Sequence, residues 1–69
     1  MPYNYSRLLG RMREFGYTQE KLASAIGREK SSLNAKINGK SAFTTNEIDR
    51  ICRVLDISNG DIGDYFFAK

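Results

Sequence analysis

Between Lys30 and Lys40 the chain reads KSSLNAKINGK, and those eleven positions hold three lysines, two serines and two asparagines. This set suits recognition. Asparagine can pair with the edge of adenine, lysine can donate to the acceptors of guanine, serine adapts to either, and the methyl of Ala35 can meet that of thymine. Catalysis finds no comparable constellation. Histidine is absent, Cys52 stands alone, and no pair of acids frames a recognisable cleft. Gly39, Lys40 and Ser41 spell the end of a phosphate-binding P-loop, but Asn34 stands where the earlier glycine belongs and no strand precedes it. Asp56, Ser58 and Asp61 imitate part of a calcium loop whose closing glutamate position is Phe67. The chain is therefore expected to bind rather than to catalyse, with no metal, no cofactor and no small-molecule ligand.

Such a surface needs a rigid element beneath it, and the apolar spacing supplies one. Leu33 and Ile37 are one helical turn apart and turn inward together. At about 100° per residue, the wheel then sets Ser31, Ala35 and Asn38 on the opposite face with Asn34 and Lys36 at its edges. Lys30 falls nearer the buried side, where its long stem can still carry the ammonium outward. The same spacing recurs in Tyr5, Leu8, Leu9, Met12 and Phe15, in Leu22 and Ile26, and in Ile48, Ile51, Cys52 and Leu55. No segment keeps the alternation of a half-buried strand. An all-α chain of five helices is expected.

The helix starts follow from a repeated signal: a capping side chain, an apolar residue before it, and another that packs back from the fourth position inside the helix. Tyr3, Asn4 and Leu8 open the first helix in this way; Tyr17, Thr18 and Leu22 open the second. Phe43, Thr44 and Ile48 open the fourth, where Glu47 completes a capping box with Thr44. Ile57, Ser58 and Ile62 open a short fifth. The third helix breaks the rule, because its cap is either Glu29, a poor capping residue preceded by Arg28, or Ser31 two residues later, opening a slightly shorter helix. Gly16 and Gly39 stand where helix C-termini favour a left-handed residue.

Two helices joined at a steep angle through a short turn need a small residue inside the first, a glycine at the turn and apolar anchors on both. Ala23, Gly27, Leu22, Ile26 and Leu33 fill those places. From Thr18 to Lys40 the chain reads TQEKLASAIGREKSSLNAKINGK, and here it resembles the phage repressor and Cro type of helix-turn-helix domain, the lambda-repressor-like family. Together with LNAKINGKSAFTTNEIDRICRVLDI and the later YFF, the likeness runs over about residues 5 to 67 and is most similar to small phage-encoded Cro-like regulators. It implies one compact domain over residues 1–69 with the helix-turn-helix at about 18–38. It also implies that Lys30, Ser31, Asn34 and Ala35 read base edges in the major groove. Phosphate contacts are expected from Thr18 and Gln19 at the start of the second helix, where free N–H groups and the dipole attract an anion, and from Lys36, Asn38 and Lys40. In two places the chain departs from the family pattern: Arg28 follows the hinge glycine and Lys36 stands three residues after Leu33, both positions usually apolar. With Ile37 as the substitute anchor, Lys36 is expected to move to a flank.

Charge agrees with a polyanionic partner. Residues 1–40 carry eight Lys/Arg against three Glu, whereas residues 41–69 carry three Lys/Arg against five Asp/Glu, so a net +5 precedes a net −2. The N-terminal stretch lacks the apolar core of a signal peptide and no apolar run is long enough to cross a bilayer, which leads to an expectation of the bacterial cytoplasm. Cys52 sits on an apolar stripe and is read as a small buried hydrophobe. Tyr65, Phe66 and Phe67 either seal the core or form a dimer patch; a dimer would set two third helices one DNA turn apart on a palindrome. The sequence thus points to a double-stranded DNA-binding regulator, a Cro-like repressor acting by operator occlusion. A protein-binding adaptor on the same fold, antirepressor or antitoxin-like, is the alternative, and a shape-reading RNA binder is another rival.

Overall fold

A computed structural model describes residues 3–69; Met1 and Pro2, the first positions of the expected domain, lie outside the described residues. Five α-helices follow in order: α1 (Ser6–Glu14), α2 (Gln19–Ala25), α3 (Lys30–Ile37), α4 (Thr45–Val54) and α5 (Ile62–Phe66), the last entered through a 3-10 turn at Asn59–Asp61. No strand occurs among the described residues, so the architecture is the expected all-α one.

Local chemistry explains most of the boundaries. The Thr18 hydroxyl accepts the Lys21 N–H at 3.1 Å and caps α2. At α4 the box closes in both directions: Thr44 Oγ1 accepts the Glu47 N–H at 3.2 Å, and Glu47 Oε1 accepts the Thr44 N–H at 2.8 Å. The first helix begins one residue later than the spacing predicts, yet Asn4 still accepts the Ser6 N–H at 2.8 Å. Glu29 holds the cap position of α3 in extended backbone without a side-chain bond, which places Ser31 inside the helix. Ser58 does not cap as expected. Its turn is a 3-10 one, the Asp61 N–H goes to the Ser58 carbonyl, and the Ser58 hydroxyl donates to the Asp61 carboxylate at 3.0 Å.

The C-terminal ends of α1 to α4 repeat one device. In each, an N–H just past the helix reaches back five residues to a free carbonyl: Tyr17 to Met12, Arg28 to Ala23, Lys40 to Ala35 and Ile57 to Cys52, all at 2.8–2.9 Å. The loop needs a left-handed residue before the closing N–H. Gly16, Gly27 and Gly39 supply it with φ of 73°, 74° and 79°, and at the fourth end Asp56 does so with φ 52°. That fourth end draws outside help: Arg11 donates from Nε to the Leu55 carbonyl at 2.9 Å and from Nη2 to the Asp56 carbonyl at 2.7 Å.

Every helix sends side chains into one core. Leu8, Leu22, Ile26, Leu33, Ile51, Leu55 and Phe66 are fully enclosed, with Tyr5, Met12, Ala23, Cys52 and Ile57 around them. Cys52 is a free buried thiol, and burial followed by the nearby Asp49 charge pushes its pKa up, away from reactivity. Phe15, expected on the apolar stripe of α1, instead stands exposed beneath the Arg11 guanidinium, 4.5 Å from its ring centre. Among the described residues no helix is long and apolar enough to cross a membrane.

Because Arg11 satisfies two carbonyls of a left-handed turn, Arg11→Met should lower unfolding stability by about 1.5–3 kcal/mol. Arg13→Met, on the exposed side of the same helix, should stay within about 0.5 kcal/mol. Urea midpoints at neutral pH read the difference.

Candidate recognition site

The turn between α2 and α3 is held from both sides. Leu22, Ala23 and Ile26 of α2 meet Leu33 of α3 in the core, and the small Ala23 side chain lets the helices approach. From α4, Arg50 Nη1 donates to the Ile26 carbonyl at 2.9 Å, so an arginine closes this helix end too. Gly27 is doubly constrained: its φ is positive, and a Cβ there would lie 3.4 Å from that same guanidinium.

On the outward side of α3, Lys30, Ser31, Asn34 and Asn38 are exposed and Ala35 is half-buried; Lys40 is exposed in the turn beyond. A chain of amides crosses this face. Asn34 Nδ2 donates to Gln19 Oε1 at 3.1 Å, and Asn38 Nδ2 donates to Asn34 Oδ1 at 3.0 Å. The structure therefore brings Gln19, Asn34 and Asn38 into one network spanning both helices. Thr18 stands beside it with its hydroxyl already occupied by the cap.

Lys36 is elsewhere, which corrects the expectation that it flanks this surface as a phosphate contact. Its side chain is only 13% exposed, and its ammonium lies 3.2 Å from Glu47 Oε1 and 3.4 Å from the Ala42 carbonyl. Arg28 meets the other oxygen of the same carboxylate, Nε to Oε2, at 2.9 Å. Glu47 is 2% exposed, the one buried charged residue among those described. So two bases, one from the turn before α3 and one from α3 itself, are both answered by one acid from α4. The spacing of Thr44 and Glu47 marks the acid only as half of a capping box; a lysine at a core-facing position, Lys36, is the signal that an acid must answer it. Burial pushes the Glu47 pKa up, but the Thr44 N–H, Lys36 and the Thr44 hydroxyl together draw it below its ordinary value of 4.5.

These pairings change the electrostatic picture. Of the eight bases in residues 1–40, Arg7 lies 3.6 Å from Asp64, Arg11 is bound to carbonyls, and Arg28 and Lys36 belong to Glu47. Arg13, Lys21, Lys30 and Lys40 have no acid or carbonyl partner among the described residues.

The aromatic tail divides its work. Phe66, expected as part of a dimer patch, is 1% exposed and packs edge-on against Phe43, which packs edge-on against Tyr5, each pair 5.4 Å between ring centres. It is thus unavailable to a second copy. Tyr65 is half-buried, while Phe67 is 49% exposed and meets Tyr3 edge-on at 5.4 Å. Between these rings and the Gly39–Ala42 turn lies a groove of about 250 Å³.

The family described as "Protein of unknown function (DUF739)" matches residues 1–69, and the chain belongs to it. The solution structure of the modulator of repression (MOR) of the temperate bacteriophage TP901-1 from Lactococcus lactis is similar to this chain at 37% identity and a TM-score of 0.82. That likeness covers 97% of this chain and 90% of the other. No curated protein matches.

A carboxyl whose pKa is lower in the folded than in the unfolded chain stabilises the fold above its unfolded value and ceases to do so as pH falls through its folded one. Stability should therefore drop on acidification below about 4.5. Glu47→Gln should remove that part of the acid response and cost about 2–4 kcal/mol at pH 7, since Lys36 is left buried without a counter-charge. Urea midpoints of both proteins across the acid range test this; an unchanged acid slope in the variant would locate the pH response elsewhere.

Proposed function

We propose that this member of the DUF739 family modulates repression in a bacteriophage gene switch by binding a repressor protein, with the outward face of α3 and the turn after it as the working surface. The observation that carries this reading is the likeness, in sequence and in fold, to a phage modulator of repression. The charge distribution supports it. Duplex binding draws on neutralised phosphates, which supply essentially all of its sequence-independent part. Here four bases of the basic half are unpaired among the described residues, and the amides of the α3 face are partly satisfied by each other. A single copy is therefore a weak duplex binder. Its exposed, preformed polar face suits a protein surface at least as well.

Direct operator binding is the second reading, favoured by the exposure of Lys30, Ser31 and Asn34 on the helix after the hinge. With Ala35 these would read base edges, while Thr18, Gln19, Asn38 and Lys40 held the backbone. That mechanism calls for a homodimer on a palindrome, so that each half-site contributes its own few phosphate contacts. In both readings the chain is a binding protein without catalytic work, acting in the bacterial cytoplasm where the phage genome is transcribed.

Titration separates the two. The chain should form a complex with the repressor encoded in the same phage genome, with a Kd near or below about 1 μM, and should bind operator and scrambled duplexes alike and weakly at about 150 mM salt. Asn34→Ala should weaken the repressor complex by about 1 kcal/mol or more. A preference of roughly 10³ for one duplex by the chain alone, with no repressor complex, would replace this reading with operator occlusion.

A further inference from the structure

We infer that the aromatic groove at the C-terminal end of α3 seats a leucine or phenylalanine side chain borne on an acidic helix of a partner protein. The inference rests on the protein-binding reading above and names the anchor point of that contact. The groove measures about 250 Å³, and an apolar cavity of about 150 Å³ already accepts a benzene ring, so one large side chain fits with room for its approach. Tyr5, Phe43, Ile48 and Phe66 line it, while the exposed Tyr3 and Phe67 stand beside them. Aromatic walls with an open mouth are what a helix-borne anchor uses when an amphipathic helix docks in a groove.

Charge selects the partner. Lys40 lies between Gly39 and Ser41, both of which line the groove, and it has no acid partner among the described residues; Lys69 follows two residues after Phe67. No acid lines the groove. A carboxylate flanking the incoming anchor would find an ammonium waiting. A second copy of this chain fits less well, because an isologous contact places like beside like and would gather both copies' Lys40 and Lys69 about the axis. A DNA backbone fits less well again, since its phosphates could meet Lys40 but offer no apolar group to cover the rings.

The test uses the whole chain, isotope-labelled, with two synthetic helical peptides of roughly 15 residues. Each carries a leucine and a phenylalanine one turn apart, flanked by glutamates in one and by lysines in the other. The glutamate peptide should shift the resonances of Phe43, Ile48 and Phe67 and bind at least about tenfold tighter than the lysine peptide. Lys40→Glu should reverse that order. Ala42→Trp fills the mouth from an exposed position, and it should leave the melting temperature unchanged while weakening the glutamate peptide about tenfold or more. Shifts confined to residues 30–35, equal affinity for both peptides, or a dimer that Ala42→Trp abolishes would each overturn the assignment. If the repressor binds Ala42→Trp as well as it binds the unaltered chain, the groove falls and the repressor reading stands. If the peptide enters the groove but no repressor complex forms, the groove stands and that reading falls.

Discussion

One buried carboxylate sets how α3 is presented. Glu47 accepts the Thr44 N–H at the head of α4, takes Arg28 from the turn after the hinge and takes Lys36 from the last turn of α3. An isolated carboxylate at this depth would be strongly disfavoured, and so would an unpaired Lys36 beside it; the half-exposed Arg28 and the cap complete its partners. The arrangement also has a directional consequence. With Lys36 turned in toward Glu47, the α3 wheel can be rotated in only one way, and Ser31, Asn34 and Asn38 are left facing out.

The helices that carry this node have 5 to 10 residues each, lengths at which an isolated helix is not stable in water. Their ends compensate. Four C-termini close through the same back-reaching bond, and arginines from neighbouring helices satisfy further carbonyls at two of them, Arg50 on α2 and Arg11 on α4. Bases that raise the net charge on paper are thus part of the scaffold. The surface that α3 turns outward is polar and amide-rich, with a few exposed ammonium groups, rather than strongly cationic. Such a face gives specificity through shape and hydrogen bonding more than through long-range attraction.

Helix count, helix boundaries and core membership were legible because they depend on neighbours a few residues away. Thr18, Thr44 and the three turn glycines act within one helical turn of themselves, and the period of Leu22, Ile26 and Leu33 registers a core whatever lies across it. The misreadings share another origin. Ser58 and Phe15 depart from local rules because an alternative partner intervenes: the Asp61 carboxylate for one, the Arg11 guanidinium for the other. Asp56 carries no glycine-like signal, so the fourth helix end was invisible without its backbone.

What the sequence alone determined is the all-α, hinged-helix scaffold and which side chains line α3, because helical periodicity and capping are properties of contiguous residues. The tertiary structure decided the rest: that Lys36 points in and Asn34 points out, that half of the basic half is already paired, and that Phe66 closes the core while Phe67 faces solvent. Those outcomes turn on charges and rings 11 to 57 positions apart in the chain, such as Lys36 with Glu47, Tyr5 with Phe43 or Arg7 with Asp64, and only folding sets their distances.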